Sequence, residues 1–343
     1  MNFTCPAPYN EYERILLAHG SGGRLSDRLI HNVIVKILGD TCIDSSHDGA
    51  LLSTSGTIAF TTDSFVVDPV FFPGGNIGDL AVNGTVNDLV CCGAVPMYLS
   101  LSLIIEEGLS MREFVSIMES VAAASRKAGV KIVTGDTKVV GRGKGDKIFI
   151  NTAGVGEVPP NRNIAPHRAA AGDAIIITGN IADHGIAILS TREGLSFETD
   201  ILSDSAPLNE LAHLAFSAAG DIHVLRDPTR GGIASALNEI STTSGMEIVI
   251  DESLIPVDPR VRGACEIMGF DPLYIASEGR MLIILPDEFS DGVVKALQTH
   301  PLGINAAVIG YVSAGKPGVK LKTMVGSTRI VEMITGEQLP RIC

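Results

Sequence analysis

Five aspartates lie beside small or polar residues in short motifs along the chain. They are Asp48 in "HDGA", Asp63 in "TTDS", Asp88 in "VNDL", Asp136 in "TGDT" and Asp227 in "RDPT". Several carboxylates in such positions are what Mg²⁺ needs when it bridges a polyphosphate. Aspartate is also a common turn and helix-capping residue, and that reading is favoured for any single one of them. The five together favour a metal and phosphate site.

Two glycine-rich segments are candidates for binding an anion. Gly20, Ser21, Gly22 and Gly23 in "HGSGGR" could present backbone N–H groups to a phosphate. The segment is not a dinucleotide or P-loop motif, because Leu25 replaces the third glycine and no Gly-Lys-Ser/Thr follows. Taken alone, it is more often an ordinary turn.

The second segment is "DPTRGG", which joins a predicted strand to a predicted helix. Arg230 and Gly231 would lie at the helix N-terminus, where an anion is stabilised.

Three further residues are candidates for the chemistry itself. Lys138 in "GDTKVV" and Glu278 in "ASEGR" are single ionisable residues in predicted loops beside apolar strands. Each would be read as a surface charge without other evidence, but each could transfer a proton. The third is Cys343, the last residue, whose thiol pKa we expect the terminal carboxylate to raise.

Alternating strand and helix patterns should position these residues. In the first half we predict strands at 57–63, 96–105, 130–136 and 146–156 and helices at 76–93 and 110–129. In the second half we predict strands at 173–179, 222–225, 247–250, 281–285 and 306–312 and helices at 183–193, 207–219 and 231–243. The pattern predicts an α/β (α+β) protein with one domain at 1–160, a second α/β domain at 161–312 and a region at 313–343 ending in a mobile tail.

Composition excludes several classes of partner. The formal charge of −13 disfavours a nucleic acid or an anionic membrane surface. The six cysteines form no C-x-x-C pair, and neither a signal peptide nor an apolar run of membrane-spanning length is present. We therefore expect a cytoplasmic protein with free thiols.

Five segments together resemble the HypE family of hydrogenase maturation proteins. They are "LAHGSGG", "TTDSFVVDPVFFPGGNIGDLAVNGTVNDL", "VTGDTKVV", "DPTRGG" and the final "PRIC", and the match runs from about residue 17 to the end. That family is similar to aminoimidazole ribonucleotide synthetase and selenophosphate synthetase. The resemblance implies a two-domain fold of that type with a flexible tail, and a homodimer with ATP bound at the subunit interface.

The same resemblance assigns roles to residues. It implies that Asp48, Asp63, Asp88 and Asp227 bind Mg²⁺ near Asp136, and that "HGSGG", "DPTRGG", Asn87, Asp136 and Thr137 contact ATP. It also implies that Cys343 carries a carbamoyl group that is dehydrated to a thiocyanate. HypF would load the carbamoyl group, and a HypC–HypD complex would accept the cyanide for the iron of a [NiFe] hydrogenase.

Two alternatives remain open on the residues alone. One is a small-molecule ATP-dependent synthetase or kinase of the same superfamily, which would leave the terminal thiol without a purpose. The other is a tail used only for docking or lipidation. Prenylation needs Cys four residues from the end, where this chain has Pro340, and a docking tail leaves the aspartates unexplained.

Overall fold

The computed structural model describes residues 12–43, 49–194, 201–334 and 341–343. The first half contains a four-stranded sheet and a two-stranded ribbon. Its strands are β1 Ile58–Phe65, β2 Phe71–Phe72, β3 Gly75–Asn76, β4 Val95–Glu106, β5 Lys131–Val140 and β6 Ile148–Glu157. Its helices are α1 Arg24–Leu29, α2 Val35–Leu38, α3 Ile77–Cys91 and α4 Met111–Ala128, with a π-helical turn Ile30–Ile34 between α1 and α2.

The four-stranded sheet has the order β1-β6-β4-β5, so β1 and β5 form its two edges. Strands β4 and β5 are parallel, and the other neighbouring pairs are antiparallel. Helix α4 joins the parallel pair. Ser110 caps its N-terminus, and the Ser110 hydroxyl accepts a hydrogen bond from the Glu113 N–H at 3.1 Å. The helix ends at Gly129, which has a φ of 71°, so the predicted helix bounds are confirmed.

The second half contains a seven-stranded sheet. Its strands are β7 Asp173–Ile177, β8 Val224–Arg226, β9 Glu247–Asp251, β10 Leu282–Pro286, β11 Ala307–Ser313, β12 Gly318–Lys322 and β13 Thr328–Val331, in the order β13-β12-β9-β11-β7-β10-β8. Its helices are α5 Asp183–Arg192, α6 Asn209–Ala218, α7 Gly232–Ser244, α8 Pro259–Met268 and α9 Ser290–Leu297. In the described ranges, no helix is long and apolar enough to cross a membrane.

The structure corrects three local predictions. Strand β1 continues past Asp63 and β5 continues past Asp136, so Asp63, Asp136 and Lys138 lie within strands and not in loops. The irregular region predicted after Ser313 contains β12 and β13, which extend the second sheet. The short runs "VKLK" in β12 and "TRIV" in β13 contain only two apolar residues each, too few to stand out in the weakly periodic region after Ser313.

Helix α3 joins the two halves of the protein. The side-chain amide of Asn87 donates to the carbonyl oxygens of Ala206 and Glu278 at 3.1 and 3.0 Å, and its oxygen accepts from Leu208 N–H at 2.9 Å. Asn83 similarly donates to Ser205 Oγ at 3.0 Å. Because these groups are buried, their hydrogen bonds fix the segment 203–208 against α3.

Close packing of α3 on α4 predicts the effect of one substitution. A Cβ at Gly78 would lie 2.3 Å from the backbone oxygen of Ile117, which cannot move independently of α4. We expect Gly78→Ala to destabilise the protein by about 2 kcal/mol or more, measured as a lower Tm or urea midpoint. The matched control is Gly263→Ala in α8, where a Cβ meets nothing within 4 Å. Helix propensity should make that change neutral or stabilising by up to about 1 kcal/mol, and equal Tm values for both variants would contradict the packing account.

Candidate active site

Three of the predicted aspartates lie together at the junction of the two halves. Asp63 is on β1, Asp88 is on α3, and Asp227 directly follows β8. Asp88 accepts a hydrogen bond from Thr61 Oγ1 at 2.8 Å, and Asp63 accepts one from Ser64 N–H at 2.8 Å. The lack of a side chain at Gly84 on α3 leaves room for Phe65, since a Cβ there would lie 2.8 Å from that ring. The glycine thus allows β1 to bring Asp63 close to the helix.

The pKa values of all three carboxyl groups are raised. Burial is the largest cause for each, and the neighbouring Asp88 adds to the increase at Asp63 and at Asp227. The pKa of Asp227 rises to about 6. A cluster of this kind is strained by its own negative charge, and a bound cation would relieve it.

Glu278 completes this group and is 3% exposed. Among the described residues, its Oε1 atom has no hydrogen-bond partner. Burial, followed by Asp227 and Asp204, raises the pKa of Glu278 well above its usual value. The carboxyl group is therefore held protonated next to the aspartates, with a free polar atom available to a ligand.

The segment Arg341–Cys343, here called the tail segment, lies against the same group. Val66 N–H donates to the carbonyl oxygen of Cys343 at 3.1 Å, and Asp68 N–H donates to that of Arg341 at 3.2 Å. Burial and then Glu278 raise the pKa of the Cys343 thiol to about 12. The terminal carboxylate that we expected to raise this pKa is not among the causes. The thiol is therefore protonated and lies beside Glu278.

The "DPTRGG" turn borders the thiol as well. Gly231 and Gly232 have φ values of 76° and 58°, a conformation that favours glycine. A Cβ at Gly232 would also lie 2.4 Å from the backbone oxygen of Leu273. Arg230 is exposed at this turn, and its positive charge lowers the pKa values of Asp63 and Cys343. The turn thus provides a cation and the N-terminus of α7 at the edge of the carboxylate group.

The remaining predicted residues surround a different cavity. A cavity of about 600 Å³ is lined by Gly20, Gly22, Asp136, Thr137 and Lys138. The backbone at Gly20 lies so close to β5 that a Cβ there would be 2.3 Å from Val139 N. Ser21 and Gly23 are exposed in the same loop. The structure thus brings the glycine-rich loop to Lys138, whose Nζ contacts Asp136 Oδ1 at 2.6 Å.

Strand register shows how far apart the two groups are. Asp63 lies opposite Thr152 on β6, Thr152 opposite Leu101 on β4, and Leu101 opposite Gly135 on β5. Asp63 and Gly135 are therefore three strand spacings apart, about 14 Å along the sheet. A lysine side chain cannot span that distance and also reach hydrogen-bond range of a reacting atom. Within one chain, Lys138 lies on the strand at the far edge of the sheet from Asp63.

Comparison with known proteins agrees with this architecture. Residues 46–158 match the AIR synthase related protein, N-terminal domain, and residues 170–322 match the corresponding C-terminal domain. Carbamoyl dehydratase HypE of Rhizobium leguminosarum bv. viciae is 49% identical over 333 residues, which cover 96% of this chain and 95% of the relative.

Solved structures of HypE proteins are also similar to this chain. The crystal structure of a hydrogenase maturation protein HypE in complex with ATP has a TM-score of 0.93 and 47% identity, covering 96% of this chain and 99% of that one. A HypE–HypF complex structure contains a chain with a TM-score of 0.79 and 43% identity, covering 91% of this chain and 100% of that one.

The chain belongs to the HypE family. This membership and the two-domain α/β fold confirm what the sequence motifs predicted.

The predicted site residues of this HypE family member divide into three sets. Asp63, Asp88, Asp227, Glu278 and Cys343 lie together, while the glycine-rich loop and β5 residues form the second group. Asn87 forms the third set by itself. Both of its side-chain amide hydrogens already bond to the protein backbone. The contact between Asn87 and a nucleotide stays a prediction. Asp48 lies outside the described residues.

Sequence analysis missed His184, Ser203 and Asp204. His184 is completely buried and contacts the tail segment, while Asp204 accepts a hydrogen bond from Glu278 N–H at 3.0 Å. These residues follow no recognisable motif. A histidine inside the apolar pattern of α5 was the one available signal.

The carboxylate group fits Mg²⁺ bound together with a polyphosphate. Its mutual repulsion favours a divalent cation, and Mg²⁺ commonly binds one or two carboxylates plus phosphate oxygens and waters. Within the described ranges, no three His, Cys, Asp or Glu side chains form a ready-made metal cage.

This arrangement predicts the behaviour of Asp63→Asn and Asp88→Asn. Each change removes a charge at nearly constant volume, so ATP hydrolysis should fall at least about a hundredfold while the fold is retained. Without nucleotide, Tm should stay the same or rise, because one repulsive charge is removed. The stabilisation that Mg²⁺ and ATP give to the parent should be lost in a thermal shift assay.

Asp291→Asn, an exposed position on α9, serves as the control and should hydrolyse ATP at the parent rate. Parent-level hydrolysis in both site variants would show that the carboxylates have only a structural role.

Proposed function

We propose that the protein is an ATP-dependent carbamoyl dehydratase that converts S-carbamoyl-Cys343 to S-cyanato-Cys343. The observation that carries the proposal is the position of Cys343, whose carbonyl oxygen accepts from Val66 N–H at 3.1 Å, directly after the strand that carries Asp63. Glu278, Arg230 and Asp63 all influence the pKa of its thiol. Relatives named carbamoyl dehydratase HypE, at 42–49% identity, support the same reaction. The product would supply the cyanide ligand for the iron of a [NiFe] hydrogenase.

The proposed chemistry removes the elements of water from a thiocarbamate. The carbamoyl oxygen attacks the γ-phosphorus of ATP, ADP leaves, and one N–H proton is lost, which forms a phosphorylated thioimidate. Loss of the second N–H proton and of phosphate then forms the C≡N bond. ATP is needed because the carbamoyl oxygen is a poor leaving group until it is phosphorylated.

The residues suit distinct parts of this reaction. Mg²⁺ held by Asp63, Asp88 and Asp227, and by Asp48 on the family pattern, would neutralise the triphosphate. Arg230 and the glycines of "DPTRGG" would contact phosphate oxygens. Glu278 starts protonated and lies next to the thiol, so it is suited to hydrogen bonding with the carbamoyl group and to relaying its protons once a cation lowers its pKa.

Lys138 requires a second copy of the chain if it takes part. The first cavity, with the glycine-rich loop and β5, lies at the sheet edge opposite β1. One face of this sheet is covered by α3 and α4, and the other exposes Phe60 at 67%, Ile58 at 51% and Ile104 at 46%. An apolar face of this kind is typical of an interface, so a homodimer can bring β5 of one subunit to the carboxylates of the other.

The partners follow from the proposed reaction. The carbamoyl group must be placed on Cys343 by a carbamoyltransferase, and a HypE–HypF complex is known for a relative, so HypF is the proposed donor. A HypC–HypD complex is the proposed acceptor, on the family pattern alone. The free cysteines among the described residues favour a cytoplasmic location.

The small-molecule alternative is less well supported. A synthetase or kinase acting on a free substrate would need the space beside Glu278 that the tail segment occupies. The tail contacts favour a substrate carried on the chain itself.

Intact-mass spectrometry tests this function. After incubation with HypF, carbamoyl phosphate and ATP, the parent should gain a carbamoyl group on Cys343 and then lose the mass of one water. Cys343→Ala should gain no mass and should still bind ATP, because the carboxylates are unchanged. Cys92→Ala, which removes an exposed thiol, is the control and should behave like the parent. A carbamoyl group mapped to any other cysteine would refute the assignment.

A further inference from the structure

The tail segment is held through its backbone as well as through the side chains of Arg341, which bonds to the Val66 carbonyl oxygen and Asp146, and of Ile342. Besides the two hydrogen bonds from residues 66 and 68, Arg192 Nη2 donates to the Arg341 carbonyl oxygen at 2.9 Å. Ile342 is 3% exposed and belongs to the hydrophobic core. Each of the three carbonyl oxygens of the tail segment accepts a hydrogen bond from the rest of the protein.

His184 holds the central carbonyl group. Its Nε2 atom lies 2.6 Å from the Ile342 oxygen and its Nδ1 atom lies 2.8 Å from Ser203 Oγ. The ring is completely buried at the start of α5 and packs edge-on against Phe72, with 5.5 Å between ring centroids. The ring therefore has little freedom to move away from the tail segment.

Hydrogen-bond chemistry determines the tautomer of this ring. A carbonyl oxygen can only accept, so Nε2 must carry the proton and donate it to Ile342. Burial lowers the pKa of His184, which favours the neutral ring with an unprotonated Nδ1. Ser203 Oγ accepts from Ser205 N–H at 3.1 Å, which leaves its own hydrogen free to be donated to Nδ1. Ser203 thus fixes the ring in the tautomer that binds the tail.

The same short segment also positions Glu278. Asp204, next to Ser203, accepts a hydrogen bond from Glu278 N–H at 3.0 Å. A Cβ at Gly279 would lie 1.8 Å from the Asp204 backbone oxygen, so the two segments are in direct contact. Residues 203 and 204 therefore connect the ring that holds Ile342 with the carboxyl group beside the Cys343 thiol.

We propose that His184, oriented by Ser203, is a positioning residue that fixes the Ile342 carbonyl and thereby holds the Cys343 sulfur next to Glu278. The structural part of this proposal is independent of the proposed function. The reason for holding the Cys343 sulfur next to Glu278 rests on the proposed function. The side chain acts through the backbone of the tail segment and does not touch the reacting atoms.

The test compares His184→Phe with His184→Gln. Phenylalanine keeps a planar ring but cannot donate, which leaves the Ile342 carbonyl buried without its hydrogen bond, whereas glutamine retains an N–H donor. The first measurement is the alkylation rate of Cys343 by iodoacetamide, resolved by peptide mass spectrometry against Cys92 in the same sample. It uses the full-length, unloaded protein and requires neither ATP nor HypF.

In His184→Phe, alkylation of Cys343 relative to Cys92 should be at least about tenfold faster than in the parent. In His184→Gln it should stay within about threefold of the parent. With carbamoylated protein, the phenylalanine variant should show a lower kcat for water loss and an unchanged Kd for ATP, because the carboxylates are intact.

Ser203→Ala is the milder second variant, and it carries the test if His184→Phe does not fold. It should also accelerate alkylation of Cys343, since the ring loses the donor that fixes its tautomer. Alkylation at the parent rate in the folded variants would overturn the proposal. If alkylation changes as expected but no thiocyanate forms in the parent, the proposed function fails while the positioning role stands.

Discussion

The width of one four-stranded sheet is the constraint on which the rest of this account depends. Strand β1 holds Asp63 at one edge of the sheet and β5 holds Asp136 and Lys138 at the other. Two strands lie between them, so about 14 Å of sheet separates the two edges. Glu278 and the tail segment lie on the β1 side. Within one chain, the predicted site residues therefore lie in two separate groups.

Charge is the reason for proposing that the β1 side binds a nucleotide and its metal. The buried carboxylates repel one another, and without a cation this costs stability that a well-packed apolar junction would not. Binding of Mg²⁺ with a polyphosphate would offset that cost, because the negative carboxylates would then hold the cation. The neutral Glu278 and the protonated Cys343 thiol do not increase this repulsion, because neither adds a further negative charge next to the aspartates.

Local patterns predicted most of the elements but not the long-range contacts. Alternating apolar residues were sufficient for β4 and β6, and the Ser110 and Gly129 signals for α4, since these depend on neighbours in sequence. The aspartate motifs predicted a common site that includes Asp63, Asp88 and Asp227, and the family resemblance implied that these three bind Mg²⁺. The separation of Lys138 from Glu278 depends on strand order, and the hydrogen bond from His184 to Ile342 joins residues 158 positions apart. Neither the strand order nor this long-range hydrogen bond can be predicted from a short window of sequence.

In the homodimer that we propose, each reaction site would combine the carboxylates and tail of one subunit with β5 of a second. This arrangement is tested most directly with a mixed dimer, purified through two different tags, of one Asp63→Asn subunit and one Lys138→Ala subunit. After carbamoylation and addition of ATP, mass spectrometry would identify the subunit that forms a thiocyanate. The account predicts thiocyanate on the Lys138→Ala subunit alone, because its intact carboxylates meet an intact β5 from the other subunit. Absence of thiocyanate from both subunits, with a fully active parent dimer prepared in the same way, would contradict it.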